Sequence, residues 1–226
     1  MWRTIWSRAY DLLPTIACSV AALAATETAS AQQVPGGCDT PASQRTSEVG
    51  CYFTGTEVLD AMPRGPLFWH LYNYPSRAAA EAVKGSQGTV AATFGKVWLY
   101  TIAEAGWFPS GGELVAVIGP LPVTTGKQYT ARYMEAALTR GMRTAIHRHS
   151  GPEAWYTVAG TQCLESPKGI AVVRAGEGVI VPEGTPMVFS SVGAETCQSI
   201  LFVVHDKSES WMTMASDWEP KGLCPK

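Results

Sequence analysis

Between Gly141 and Gly160 the chain reads GMRTAIHRHSGPEAWYTVAG, which sets His147 and His149 one residue apart and Glu153 four residues further on. Two imidazoles and one carboxylate are the donor set of a facial metal triad, an arrangement that leaves coordination positions open, as in non-haem Fe(II) oxygenases. The same three groups can instead hydrogen-bond to one another or orient an organic ligand with no ion between them. With a metal, Glu153 could alternate between ligand and general base, and the ion would act as a Lewis acid or an O2-binding centre. Both readings require all three side chains to enter one enclosed space, so the elements around them decide.

Residues i and i+2 of a β-strand share a face, so His147 and His149 project together while Ile146 and Arg148 face the other way. A turn at Ser150, Gly151 and Pro152 lets Glu153 open a returning strand aimed at the same space. Trp155 and Thr157 follow on Glu153's face, and with Met187 and Phe189 they are expected to line a largely apolar pocket suited to a small, partly apolar or aromatic molecule. Apolar and β-branched runs such as GTVAATFGKVWLYTIA, ELVAVIGPLPV, QYTARYMEAALT, GIAVVRAG and SILFVVHD recur at short intervals. Gly and Pro separate them, which predicts an antiparallel sandwich or barrel. PSRAAAEAVKG gives one short helix, with Pro75 near its first turn and Gly85 as its stop.

The spacing Gly141, His147, His149, Glu153, Gly160 resembles the first conserved motif of the cupin superfamily at every position, and Gly176, Pro182 and Gly184 match the second. The second motif's histidine and asparagine are here Met187 and Ser191. The resemblance spans roughly Gln128 to Asp206 and implies an all-β fold, a cupin jelly-roll β-barrel; the N-terminal third reads either as a small N-terminal α+β extension of it or as a decayed second barrel. The resemblance also implies a divalent metal, Fe, Mn, Zn or Cu, on His147, His149 and Glu153, and a homodimer. Met187 removes one of the family's usual ligands. A thioether suits a soft ion such as Cu(I), and otherwise fills space. His205 is a candidate replacement ligand if the last strand turns it inward, and His70, among the aromatics of LFWHLY, reads as a packed structural residue.

The remaining organisation follows from composition. Residues 1–31 carry Arg3 and Arg8, an apolar run from Leu12 to Ala25 and a small-residue ASA before Gln32, the pattern of a signal peptide for a periplasmic or secreted protein. Pro14 interrupts the run, which is shorter than the roughly 18 residues of a membrane span. Residues 32–64 read as a loosely ordered leader, 65–127 as strands and a short helix flanking the barrel, 128–206 as the barrel and 207–226 as a tail packed outside it. The five later cysteines, Cys38, Cys51, Cys163, Cys197 and Cys224, could give two disulfides and one free thiol with connectivity left open, Cys163 and Cys197 being one candidate pair because both lie on predicted barrel strands. A net charge of -2 with no run of Lys or Arg excludes a nucleic-acid partner and a membrane surface once the signal is removed. Two functions therefore stand: a metal-dependent enzyme of oxygenase or isomerase type, or a metal-free periplasmic barrel that binds a small molecule.

Overall fold

The structure is a computed structural model, and it describes residues 34, 37–59, 65–124 and 126–225. The predicted signal peptide, 1–31, lies outside the described residues. The strands among the described residues form four antiparallel sheets. The largest takes strands in the order β1 (Gly50–Leu59), β6 (Tyr129–Leu138), β13 (Cys197–Asp206), β8 (Glu153–Ala159) and β11 (Gly178–Val181). Facing it is a three-stranded sheet of β10 (Gly169–Arg174), β9 (Thr161–Ser166) and β12 (Val188–Ser191). Between the two lies one apolar core, with Met134, Trp155, Leu201 and Val203 from the first sheet meeting Leu164 and Phe189 from the second. This double-sheet barrel is of the cupin jelly-roll type.

Alternation along single strands explains why the five-stranded sheet is buried on both sides. In β13, Leu201 and Val203 enter the barrel, while Ile200, Phe202 and Val204 point outward. The outward set is covered by a second sheet of the same chain, in the order β3 (Gly88–Thr93), β4 (Lys96–Ala103), β2 (Phe68–Tyr74) and β5 (Glu113–Ile118). Trp69 meets Phe202 with ring centroids 4.5 Å apart, and Tyr100 stacks on Tyr133 at 5.2 Å. Full burial of an aromatic such as Phe202 stabilises by about 1.5–3 kcal/mol, so this layer is an integral part of the fold. The run GTVAATFGKVWLYTIA is the β3–β4 hairpin, turned by Phe94 and Gly95 at φ 51° and 73°, both positive as a two-residue hairpin loop requires. The predicted helix is α1 (Arg77–Glu81), capped by the Ser76 hydroxyl accepting from the Ala79 amide at 3.2 Å.

Two expectations need correction. The leader is not loose throughout: Gly50–Leu59 forms β1, registered along β6, because Cys51, Tyr52 and Leu59 have apolar surface to bury there. Cys163 does not pair with Cys197. Those residues sit on strands of different sheets, and Cys163 is bonded to Cys224 of the tail, while Cys38 bonds Cys51 and Cys197 is a buried free thiol. The tail reaches Cys163 because the Glu165 carboxylate accepts the amides of Lys221 and Leu223, at 2.5 and 3.1 Å.

Candidate functional site

His147 opens the short strand β7 (His147–Arg148), His149 follows it, and Glu153 opens β8. The turn between them passes directly under β13. A Cβ on Gly151 would stand 1.8 Å from the Val204 carbonyl oxygen, so only glycine permits this approach. The alternation holds: His147, His149 and Glu153 are buried, while Arg148 on the opposite face pairs with Asp217.

The three side chains converge. One donor atom from each lies within 4.8 Å of the others, and among the described residues theirs is the one group of His, Cys, Asp or Glu side chains close enough to hold a metal. His149 Nε2 stands 3.5 Å from Glu153 Oε1. Each imidazole spends its other nitrogen on the backbone: His147 Nδ1 lies 2.8 Å from Ala145 O and His149 Nδ1 2.7 Å from Trp211 O. A carbonyl can only accept, so both Nδ1 atoms carry a proton, and in the neutral imidazole this turns the Nε2 lone pair toward the site, the usual preparation of a ligating histidine. His149 Nε2, Glu153 Oε2 and Trp155 Nε1 are buried without a hydrogen-bond partner. Uncompensated, such groups are costly, and an ion or ligand would satisfy them.

Electrostatics divide the roles. Burial pushes the His147 imidazole below its ordinary value, the Glu153 charge pulling weakly the other way. Burial acts against charge on His149 too, but the Glu153 carboxylate beside it prevails and lifts that imidazole above its ordinary value. Burial likewise works to raise Glu153, yet the two histidines, His149 foremost, hold its carboxyl below the usual range. A neutral His147 and an ionised Glu153 are the forms a cation needs.

Beside these groups lies a cavity of about 260 Å³, walled by Met134, Ala136, Leu138, Trp155, Leu201, Trp211, Met212 and the Cys38–Cys51 bridge. Among the described residues no lysine or arginine lines it. Of the expected pocket residues, Trp155 forms part of the wall. Phe189 stacks behind Trp155 at 4.0 Å, and Met187 is buried in the same core, its backbone bridged to His147. Thr157, at the far end of β8, accepts from Gln162 Nε2 at 2.9 Å; its face is the expected one but its hydroxyl serves the core. His205 lies outside the triad, its Nδ1 3.0 Å from Asp206 O. His70 is buried against Trp107, with Nε2 2.9 Å from Glu104 O. Sequence reasoning missed Trp211 and Met212, for a tail residue acting through its backbone carbonyl leaves no motif.

No protein-family model and no curated relative matches the chain. Solved structures similar to it are cupin-type proteins. The DMSP lyase DddQ of Ruegeria pomeroyi DSS-3 is 15% identical, over 41% of this chain and 45% of that one, with a TM-score of 0.34. A cupin superfamily protein of Desulfitobacterium hafniense DCB-2 is 8% identical over 38% of this chain and 74% of that one, with a TM-score of 0.32. Oxalate decarboxylase of Bacillus subtilis is 23% identical over 41% of this chain and 25% of that one, with a TM-score of 0.33. The chain thus spans less than half the length of the lyase and a quarter of the decarboxylase.

Proposed function

We propose that this protein is an exported barrel that binds a divalent cation through His147, His149 and Glu153 and receives a small, largely apolar molecule in the adjoining cavity, as a metal-dependent enzyme of oxygenase or isomerase type. The observation that carries the reading is the pair of backbone bonds at Nδ1, which leave both Nε2 atoms free to share one space with an ionised carboxylate. A bound Fe, Mn, Zn or Cu ion would supply Lewis-acid or redox chemistry there. The chain's own contribution is to shape and dry the space, to offer the Trp155 indole N–H to an acceptor, and to hold on Glu153 Oε2 an acceptor for a proton. A cavity of about 260 Å³ exceeds the roughly 150 Å³ that suffices for benzene, so a molecule of single-ring size fits. Two disulfides support export, because such bonds persist in oxidising compartments. Among the described residues no helix is long and apolar enough to cross a membrane.

A second reading, a metal-free binding barrel, is favoured by the 3.5 Å approach of His149 Nε2 to Glu153 Oε1, an ion pair when the imidazole is protonated, the form that the Glu153 charge favours. Elemental analysis of protein purified without chelator, beside a His147→Ala/His149→Ala variant, separates the two. About one metal per chain in the parent alone supports the metal site. Free metal at 100-fold its Kd should then stabilise the parent by about 2.7 kcal/mol and leave the variant unchanged. No metal in either protein, with no response to added ions, leaves the metal-free barrel. A homodimer belongs to the same proposal and is read by analytical ultracentrifugation; the outer face of the five-stranded sheet is already covered by this chain's own β2–β5 layer, so two copies would have to meet elsewhere.

A further inference from the structure

The tail beyond β13 does more than shield apolar surface. Trp211 supplies the carbonyl oxygen that accepts the His149 Nδ1–H at 2.7 Å, and its ring lies nearly parallel to that imidazole, with centroids 5.5 Å apart and planes 18° apart. Against this ring also lies the Arg132 guanidinium, 4.6 Å from its centroid; Arg132 further covers Phe53 and donates to Cys38 O and Asp39. Two residues on, β14 (Thr213–Met214) pairs with β7 itself, Met214 opposite His147, and the Ala215 amide donates to Ile146 O at 3.0 Å. Asp217 holds Arg148 from the outer side. The tail is finally anchored where Glu165 takes two of its amides and Cys224 is bonded to Cys163.

We infer that the C-terminal tail is a positioning strap for the histidine strand: Trp211 fixes the tautomer and plane of His149, and the Cys163–Cys224 crosslink keeps Trp211 in place, so that metal affinity depends on tail docking. This rests on the metal-binding reading given above. A short strand of two residues has little rigidity of its own, and the elements that immobilise it on this side all come from the tail. Loss of a partner that orients a ligating imidazole commonly costs 10–100-fold in metal affinity.

The test uses the full mature chain with Co(II) alone as the probe, since its visible spectrum reports ligand geometry. Trp211→Ala and the Cys163→Ala/Cys224→Ala double variant should each bind Co(II) about tenfold or more weakly, with an altered spectrum, while circular dichroism shows the barrel folded. Trp211→Phe, which keeps a ring over His149, should restore both affinity and spectrum. Parent-like affinity and spectrum in Trp211→Ala and in the double variant would overturn the strap. If the parent itself takes up no Co(II), the metal reading fails, and the strap is judged by nitrogen NMR of the imidazoles. A His149 held as the Nδ1–H tautomer in the parent but mixed in the double variant sustains it; the same tautomer in both overturns it.

Discussion

Removing each disulfide in turn gives a ranking that the structure sets in advance. The Cys38–Cys51 bridge closes a sequence separation of 13 residues and Cys163–Cys224 one of 61. On the chain-entropy relation, loops of these sizes restrict the unfolded chain by about 3 kcal/mol and about 4 kcal/mol respectively. Each pair consists of one buried and one half-buried cysteine, so the packing lost on truncation to alanine is similar and largely cancels between them. Cys38→Ala/Cys51→Ala should therefore lose roughly 6–12 °C in Tm and Cys163→Ala/Cys224→Ala roughly 8–16 °C, at about 2–4 °C per kcal/mol for a domain of this length. The assay is thermal unfolding of both oxidised variants, followed by tryptophan fluorescence, with peptide mapping of the parent to confirm the bridges. A larger loss for the short-loop variant, or a mapped Cys163–Cys197 bridge, would refute the reasoning, the first at the level of chain entropy and the second at the level of connectivity.

Other perturbations probe the site and the layer behind it. Gly151→Ala places a methyl 1.8 Å from the Val204 carbonyl oxygen, so the turn that spaces His149 from Glu153 must shift; we expect a loss of about 1–3 kcal/mol in urea unfolding and weakened metal uptake, and a parent-like protein would contradict the close approach. Met187 and His147 are antiparallel bridge partners, whose side chains share a sheet face, so Met187→His should tighten Mn(II) binding, measured by calorimetry, while the metal-free protein loses about 1–3 kcal/mol to a newly buried imidazole. Burial lifts the Glu57 carboxyl above its ordinary value, with the Thr89 hydroxyl working against the shift. The folded state therefore holds that proton more tightly than the unfolded chain does, and the stability this confers is present at low pH and lost as pH rises through the folded value. Glu57→Gln, which keeps an acceptor for Thr89, should exceed the parent in urea midpoint at neutral pH and lose that advantage below the ordinary carboxylate range; a difference independent of pH would count against the assignment.

Much of the site was legible because its determinants are local. His147, His149 and Glu153 needed only strand alternation and a turn, and the motif glycines Gly141, Gly160, Gly176 and Gly184 sit at φ of 82°, 73°, 87° and 71°, where a side chain is strained. The parts that escaped reading are those settled by long-range partners. Cys163 chose Cys224 over Cys197 through the two tail amides on Glu165, an interaction with no period or spacing to reveal it. Thr157 lies on the expected face of β8, but the face alone did not say how far along the strand the cavity extends, and Gln162 claims its hydroxyl. Trp211 reaches His149 with a backbone carbonyl and a stacked ring, and both contacts exist only once the tail has docked.

The run SILFVVHD holds a further reason for the fold's layering. A sheet with one wet face alternates apolar with polar residues, whereas Ile200 to Val204 is apolar at every position and therefore demands cover on both sides. Inside, Leu201 and Val203 join the barrel core, and Leu201 also walls the cavity; outside, Ile200, Phe202 and Val204 are sealed by Trp69, Tyr100 and Ile102 of the β2–β5 sheet. The N-terminal layer is thus needed by the same strands that shape the site, although none of its residues lines the cavity. Its effect on the site is mechanical: the Val204 carbonyl that confines Gly151 belongs to the strand whose outer side chains this layer holds in place, so the spacing between His149 and Glu153 rests on packing against the adjacent sheet.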